Sequence, residues 1–439
     1  MTGGGAAAAA EHGTAGARPR VAVVVTGSEL VRGERVDRNG PFLAAEALRE
    51  GLEPARITIV GDAPAELEAA LREALQADAC LVSGGLGPTH DDRTVELLAR
   101  AAGLELVVDE ALERRIEAAS RAVAQRLRRP YADYAPGVRK QATRPVSAVP
   151  VGLAGTAPAL VLRAPTGCVA VLLPGPPEEL RRLWPQARAS EPFRELLTRA
   201  RPRGRRVLRF FGTSESEVAR ALEAAGGDGG GVEATICARE LEIHVDLLAE
   251  PEASERADAL EAALAARLEP WLFARDERPV EELVLALLQA RGLQAATAES
   301  CTGGMVAARL TSVAGASASF VGGVVAYADE LKRRELGVPG ELLAEHGAVS
   351  AEVAAAMAEG ARRRLGADVA VAVTGVAGPA GGTREKPVGR VHLHASGPDG
   401  SLARRLDLPG SREQVRARAT VAALHLLRAL LTGSRDEPV

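Results

Sequence analysis

Aromatic residues are scarce in this chain: two Trp, three Tyr and six Phe make up 3% of 439 residues. So few flat side chains argue against a protein that holds single-stranded nucleic acid, because such proteins stack successive bases on aromatic rings. Positive charge is not in excess either. The 54 Lys and Arg against 58 Asp and Glu leave a net charge of −4 and no basic field for a phosphate backbone, so direct nucleic-acid binding is not expected. Cysteine is limited to Cys80, Cys168, Cys237 and Cys301, in no CxxC or finger spacing, so neither a disulfide framework nor a zinc finger is expected. No apolar run approaches the roughly 18 residues of a membrane helix, and the first residues lack the charged-then-apolar order of a secretory leader. A soluble, cytoplasmic protein with no membrane partner is the resulting expectation. The rarest basic residue is lysine: only Lys140, Lys332 and Lys386 occur. Arginine stays protonated at any working pH, whereas a lysine in a dry pocket can give up its proton and act as a base.

Length and pattern suggest about three domains, at roughly 150 residues each. Residues 1–19 are rich in Gly and Ala and read as a disordered tail. From Arg20 strands and helices alternate: Val21–Val25, Arg56–Val60 and Ala79–Val82 as strands, Pro41–Glu50 and Pro64–Ala77 as helices. This alternation predicts an α/β domain over 20–189 with a parallel sheet covered by helices. Within it, Pro130–Gly155 reads as an irregular excursion that carries Lys140 in a loop, after a helix over Glu110–Arg129. The segment Ser190–Arg206, with Pro192, Pro202 and a basic run, reads as a linker. A small α+β unit follows to about residue 276, and a last α/β domain covers 277–439.

Three stretches of that last domain carry chemistry. Thr297-Ala298-Glu299-Ser300-Cys301-Thr302-Gly303-Gly304 reads as the end of a buried strand, a tight turn and the start of a helix. Ser300 at such a corner sits beside the unpaired N–H groups of a helix start, a place suited to an oxyanion; Ser300 or Thr302 as a mere helix cap is the plainer alternative. Phe320–Tyr327 reads as a strand followed by a helix with Lys332 in its first turn, and a Ser–Lys pair can activate a hydroxyl without histidine. Asp368–Val373 reads as a strand that runs into a glycine loop with Gly375 and Gly378. Ligands of open α/β sheets sit outside the carboxyl ends of strands, so three such ends point to one crevice. Cys301 is a rival nucleophile but has no adjacent histidine to activate it. His392 and His394 share a strand face, with no third metal ligand near in sequence.

In the first domain the sharpest feature is Ser83-Gly84-Gly85-Leu86-Gly87-Pro88-Thr89-His90-Asp91-Asp92. Glycines allow close approach of backbone N–H groups to phosphate, and paired carboxylates offer hard oxygen ligands to a divalent cation. Either aspartate can instead cap the helix that follows.

The segments ESCTGG, GGVVAYADELK, TGVAGPAGG and KPVG resemble the C-terminal domain of the CinA family, which is similar to nicotinamide mononucleotide amidohydrolases. The resemblance implies hydrolysis of nicotinamide mononucleotide to nicotinate mononucleotide and ammonia, without a cofactor. It places Ser300 as nucleophile, Lys332 as general base, and Ser317 and Tyr327 in the pocket. Thr302, Gly303, Gly304, Gly375 and Gly378 would line the substrate, with a basic contact from Arg412 or Arg416. The segments GSELVRGERVDRNG, SGGLGPTHDDRT and PGPPEEL resemble the molybdopterin-binding-like domain of the same family, a parallel three-layer sandwich. In some members this domain is a metal-dependent ADP-ribose pyrophosphatase. That implies nucleotide contacts at Gly84, Gly85 and Gly87 and a divalent metal (Mg, Mn or Co) at Asp91, Asp92 and Glu29, with Asp37, Asn39 and Asp62 as further candidates. The middle piece resembles a KH-like domain, without a GxxG clamp, and the resemblance implies a homodimer. The competing reading is a non-catalytic pterin- or nucleotide-binding module in the first domain that regulates the amidohydrolase or recruits partners.

Overall fold

The computed structural model describes residues 17–434, so most of the expected tail over 1–19 lies outside the described residues. The chain divides into two compact units, one ending at Arg203 and the other starting at Gly204. Among the described residues no helix is long and apolar enough to cross a membrane.

The first unit carries β1 (Arg20–Thr26), β2 (Glu53–Val60), β3 (Ala79–Ser83), β4 (Leu106–Val108), β5 (Thr143–Pro145), β6 (Val149–Leu153), β7 (Pro158–Arg163) and β8 (Val169–Leu173). Six of them form a sheet in the order β2-β1-β3-β8-β7-β6, and β4 pairs with β5 as a separate ribbon. The first four run parallel, and β7 and β6 turn antiparallel. A parallel strand covered on both faces needs apolar residues at successive positions, and the valine run of β1 meets that need. Val21, Val23 and Val25 pack with Leu43, Leu183 and Phe193 on one face, while Val24 packs with Leu71 and Leu97 on the other. The result is the expected three-layer sandwich.

Two expectations fail here, both over proline. The stretch 130–155 is not irregular: it holds the helix Ala135–Gln141 and strands β5 and β6, so Lys140 is helical. The linker expected from residue 190 is also absent. Glu191–Leu197 is a helix whose Phe193 and Leu196 are buried in the first unit, and the division falls after Arg203. Pro136 and Pro192 each sit in the first turn of a helix, where a missing N–H breaks no hydrogen bond. They start helices rather than end them.

The second unit contains two sheets. The first has β9 (Gly204–Phe211), β10 (Val232–Arg239), β11 (Glu242–Ala249) and β12 (Leu272–Ala274), antiparallel in the order β10-β11-β9-β12. Helices Glu215–Ala224 and Ser254–Arg267 cover one of its faces. The strand β10 stands beyond the expected Gly-rich turn; most of its residues are exposed, so the sequence gives little apolar pattern to read. The second sheet has β13 (Ala295–Glu299), β14 (Phe320–Val325), β15 (Val369–Gly375), β16 (Arg390–Gly397) and β17 (Gly400–Asp407), in the order β14-β13-β15-β16-β17. Its first three strands are parallel and its last two antiparallel. Helices Val280–Arg291, Met305–Thr311 and Arg412–Thr432 bury one face, Asp329–Leu336 and Ala351–Leu365 the other.

The two sheets of this unit share a core. Phe211 of β9 stacks on His425 of the last helix, with ring centroids 3.8 Å apart and planes 8° apart, and Phe273 meets the same imidazole edge-on at 4.6 Å. His425 is fully buried, and its Nε2 lies 2.8 Å from Glu242 Oε1. The other oxygen of Glu242 lies 3.0 Å from His244 Nε2. Burial pushes the His425 imidazole down to about 4, although Glu242 favours its charge. For Glu242 burial acts upward, but the hydrogen bonds from His244 and His425 outweigh it and hold the carboxyl at about 2.

Both folded values lie below the ordinary ones of 6.5 and 4.5, so acid favours the unfolded chain at both groups. Stability is complete near neutrality. It is lost first as pH falls from about 6.5 to about 4 through His425, then towards about 2 through Glu242. The thermal midpoint of the second unit should drop by several degrees over the first interval. His425→Phe should flatten that interval in melts followed by circular dichroism; an unchanged slope in the variant would remove His425 as the cause.

Candidate active site

Strand β13 lies between β14 and β15, all parallel, so their carboxyl ends open onto one crevice. Ser300 follows the last residue of β13 directly. Its amide donates to the Val373 carbonyl at 2.9 Å, and the amide of Ala326 donates to the Glu299 carbonyl at 2.8 Å. These bonds strap the serine between the ends of its two neighbouring strands, where it is 8% exposed. The turn onward needs Gly303 and Gly304, at φ of 61° and 95°, a region closed to most side chains.

Three of the amides at the start of the following helix are not free for an anion. Glu299 takes them: Oε2 accepts from Gly304 at 2.9 Å and Val306 at 3.1 Å, and Oε1 accepts from Ala307 at 2.9 Å. Neither Ser300 nor Thr302 caps this helix. Sequence reading passed over Glu299. The signal was there, a charge closing a strand that is otherwise apolar and wholly buried, because a buried carboxylate has to find donors. Thr302 is fully buried, and its hydroxyl has no hydrogen-bond partner.

Lys332 is 1% exposed, in the helix that follows β14. Its Nζ donates to the Tyr327 carbonyl and to Asp329 Oδ1, each at 3.2 Å. The lysine is thus dry and stands at the end of the strand next to Ser300, as expected. The expected bond to the serine hydroxyl is not among its contacts, because two nearer oxygens of its own turn hold the ammonium.

Arg412 and Arg416, four residues apart on the last helix, both reach the crevice. Arg412 donates to Tyr327 Oη at 2.8 Å and to the Gly378 carbonyl at 2.9 Å. Arg416 donates to the carbonyls of Cys301 at 3.0 Å and Thr302 at 2.9 Å. One helix face therefore pins the loops after β13, β14 and β15 together. Gly375 closes β15, and a Cβ there would meet the Arg390 carbonyl at 2.7 Å.

Other candidates stand apart. Ser317 is exposed at the amino ends of β13 and β14, opposite the crevice: the neighbouring Ser319 carbonyl accepts from Ala295, the first residue of β13. A six-residue strand separates it from Tyr327, so the pocket place that the resemblance implied for Ser317 is not met within this chain. Cys301 is buried, and burial pushes its thiol up to about 11, which keeps it a poor nucleophile. His392 and His394 are both held below the usual histidine range by burial, and among the described residues no group of three His, Cys, Asp or Glu side chains is placed to hold a metal.

In the first unit the glycine loop is drawn tightly onto the helix that follows it. A Cβ on Gly85 would stand 2.1 Å from Thr94 Oγ1, and one on Gly87 2.4 Å from Asp92 Oδ2. Gly84, at φ 105°, presses on the Thr26 carbonyl. Asp91 and Asp92 do not cap this helix. Both aim at Thr89: Asp92 accepts from its amide at 2.9 Å and its hydroxyl at 2.6 Å, and Asp91 accepts from the same hydroxyl, which holds Asp91 below the usual carboxylate range. Lys140 Nζ donates to the Thr89 carbonyl. Asp92 and Lys140 share the wall of a cavity of about 310 Å³ with Gly85 and Gly87. Glu29 lines a different cavity, of about 690 Å³, with Asp37, Asn39 and Ser83, so the expected set of Asp91, Asp92 and Glu29 is not assembled. Asp62 is occupied by Thr26 and Ser28.

Comparison with known proteins agrees with this two-part layout. Residues 277–431 match the family described as the CinA C-terminal domain, and residues 22–188 match the probable molybdopterin binding domain. A "CinA-like protein" of Mycobacterium sp. (strain MCS) is 44% identical over 419 residues, covering 94% of this chain and 99% of the relative. The "CinA-like protein" of Mycobacterium tuberculosis (strain ATCC 25177 / H37Ra) is 42% identical over 431 residues, covering 95% and 99%. Among solved structures, the competence/damage-inducible protein CihA of Agrobacterium tumefaciens is 42% identical over 36% of this chain and 99% of its own, with a TM-score of 0.34.

Removing the Glu299 carboxylate would leave three buried or half-buried amides without an acceptor. At about 1–3 kcal/mol for each unsatisfied group, Glu299→Ala should destabilise the second unit by roughly 3 kcal/mol or more, and Glu299→Gln by less. Urea unfolding reads this directly. A loss below about 0.5 kcal/mol, the level of an ordinary surface change, would show that the turn does not rest on this residue.

Proposed function

The chain belongs to the CinA family, and from that premise we propose that its second unit hydrolyses the carboxamide of nicotinamide mononucleotide. The observation that supports this most is the gathering of a buried serine, a buried lysine and an exposed arginine–tyrosine pair at the ends of three adjacent parallel strands. In this reading Arg412 and Tyr327 meet the phosphate, while Arg416, whose donors go to backbone carbonyls, shapes the Ser300 turn.

The Ser300 hydroxyl attacks the carboxamide carbon and gives its proton to the neutral amine of Lys332, whose own proton has first passed to solvent, forming a C–O bond and an oxyanion. For this the amine has to leave Asp329, an exposed partner that an incoming ligand can displace. With the Gly304, Val306 and Ala307 amides held by Glu299, the donors for the oxyanion are the amides of the turn and of Met305 together with the unpartnered Thr302 hydroxyl. Collapse of the tetrahedral species breaks the C–N bond, Lys332 protonates the departing ammonia, and water then releases nicotinate mononucleotide from the serine ester. No cofactor enters these steps.

A second reading concerns the first unit, where the paired carboxylates beside a glycine loop favour cleavage of ADP-ribose to AMP and ribose 5-phosphate. Asp91 and Asp92 both point at one hydroxyl, a two-carboxylate donor set suited to a hydrated divalent cation that completes its shell with substrate phosphates. When bound, that cation would neutralise charge on the diphosphate. Lys140, beside them on the cavity wall, would hold a phosphate, and the packed glycines would present backbone N–H groups. Glu29, in another cavity, has no part in this.

Purified protein should release ammonia from nicotinamide mononucleotide in the presence of chelator. Ser300→Ala and Lys332→Met should each lower kcat by at least ~1,000-fold, and Thr302→Val by roughly 10–100-fold with KM unchanged. Full activity in Ser300→Ala would reject the assignment. ADP-ribose cleavage should need added Mg, Mn or Co and be lost in Asp92→Ala but kept in Glu29→Ala. Equal loss in both variants would count against the separation of the two cavities.

A further inference from the structure

The second unit also holds a cavity of about 800 Å³ away from the strand ends around Ser300. It lies over the face of the β10-β11-β9 sheet that the helices leave bare. Along β11 the odd-numbered residues Ile243, Val245 and Leu247 enter the apolar core, so the even-numbered Glu242, His244 and Asp246 face the other way, onto the cavity. Arg205 and Arg209 of β9 line it as well, and the far wall includes Arg309 of the helix that begins after the Ser300 turn.

The tip of the β10–β11 hairpin fixes the mouth of this cavity. Glu240 and Leu241 hold φ of 45° and 77°, a conformation that non-glycine residues rarely adopt and that persists only where the surroundings impose it. Here they do: Leu241 packs against the core of the C-terminal sheet, and Glu240 lies 3.7 Å from Arg309. The hairpin held in this way carries Arg239. That guanidinium lines the cavity, is exposed, and among the described residues makes no hydrogen bond or ion pair, while Arg205 and Arg209 are paired with Asp246.

We propose that this cavity is a binding site for a nucleoside monophosphate, separate from both sites described above. Guanidinium forks bind phosphate bidentately, and Arg239 is the uncommitted one at the mouth, with Arg205 behind it. The interspersed carboxylate Glu240 can accept hydrogen bonds from ribose hydroxyls, which a bare phosphate site would not need, while Glu277 is paired with Arg205. Phe273, half-buried on the wall, offers an apolar face for a base, and the volume falls in the range of small-ligand pockets, about 300–1,000 Å³.

A local reporter is already present. Cys237 lines the cavity and is exposed, whereas Cys80, Cys168 and Cys301 are buried. Full-length protein should therefore show one fast thiol towards a chromogenic disulfide reagent, and Cys237→Ser should abolish it. Millimolar AMP should slow this reaction at least ~5-fold, and adenosine should not. Arg239→Ala, a change at an exposed residue, should raise the AMP concentration for half-protection about tenfold, the loss of one charge-assisted contact. Ser300→Ala and Asp92→Ala, which alter the other two sites, should leave that concentration as it was. A Cys237 rate indifferent to AMP, protection by adenosine equal to that by AMP, or the same midpoint in Arg239→Ala would each overturn the proposal.

Discussion

One carboxylate organises the candidate active site. Glu299 ends a buried strand, and its two oxygens gather the amides of Gly304, Val306 and Ala307. A charge at that depth is tolerable only with such donors, and a helix start short of its own acceptors can supply them. The two needs cancel. The chain is thereby forced to turn sharply between strand and helix, and Ser300 is the residue left at the corner. The price is that these three amides are no longer available to a ligand.

The rest of the crevice depends on a similar economy of contacts. The last helix runs from Arg412 to Thr432 and is secured at its start by a capping box between Ser411 and Gln414. From its first two turns Arg412 and Arg416 reach three separate loops, so a single rigid element sets the spacing of all three strand ends. Further along, the same helix buries His425 against Phe211 and Glu242 from the other sheet. The loops of the candidate site and the middle sheet are thus fastened to opposite stretches of one rod.

Much of this was legible in the sequence. The valine run of β1, the strand–glycine–helix order around Ser300 and the rarity of lysine pointed to the fold class and to Ser300 and Lys332, while the arginine pair came from the family resemblance alone. What stayed hidden has physical reasons. Pro136 and Pro192 read as breakers because composition does not distinguish the first turn of a helix from a loop. The strand β10 carries mostly exposed residues and so lacks a hydrophobic signature. Ser317 lies near Tyr327 in the chain, yet the strand between them carries it to the far end of the sheet. Glu29 and Asp92 looked alike as acidic residues near glycines, and only folding assigns them to different cavities. Glu299 was missed because its role lies in the backbone it binds.

The stacking of Phe211 and Phe273 on His425 has a practical corollary for anyone who would divide the protein. A fragment starting at residue 277 would match the boundary of the family domain but would strip both rings and Glu242 from an imidazole that never meets water in the whole chain. Such a fragment would carry a newly wetted apolar scar on its longest helix, on the same rod that aligns the loops around Ser300. Excision at Gly204 keeps that seam closed.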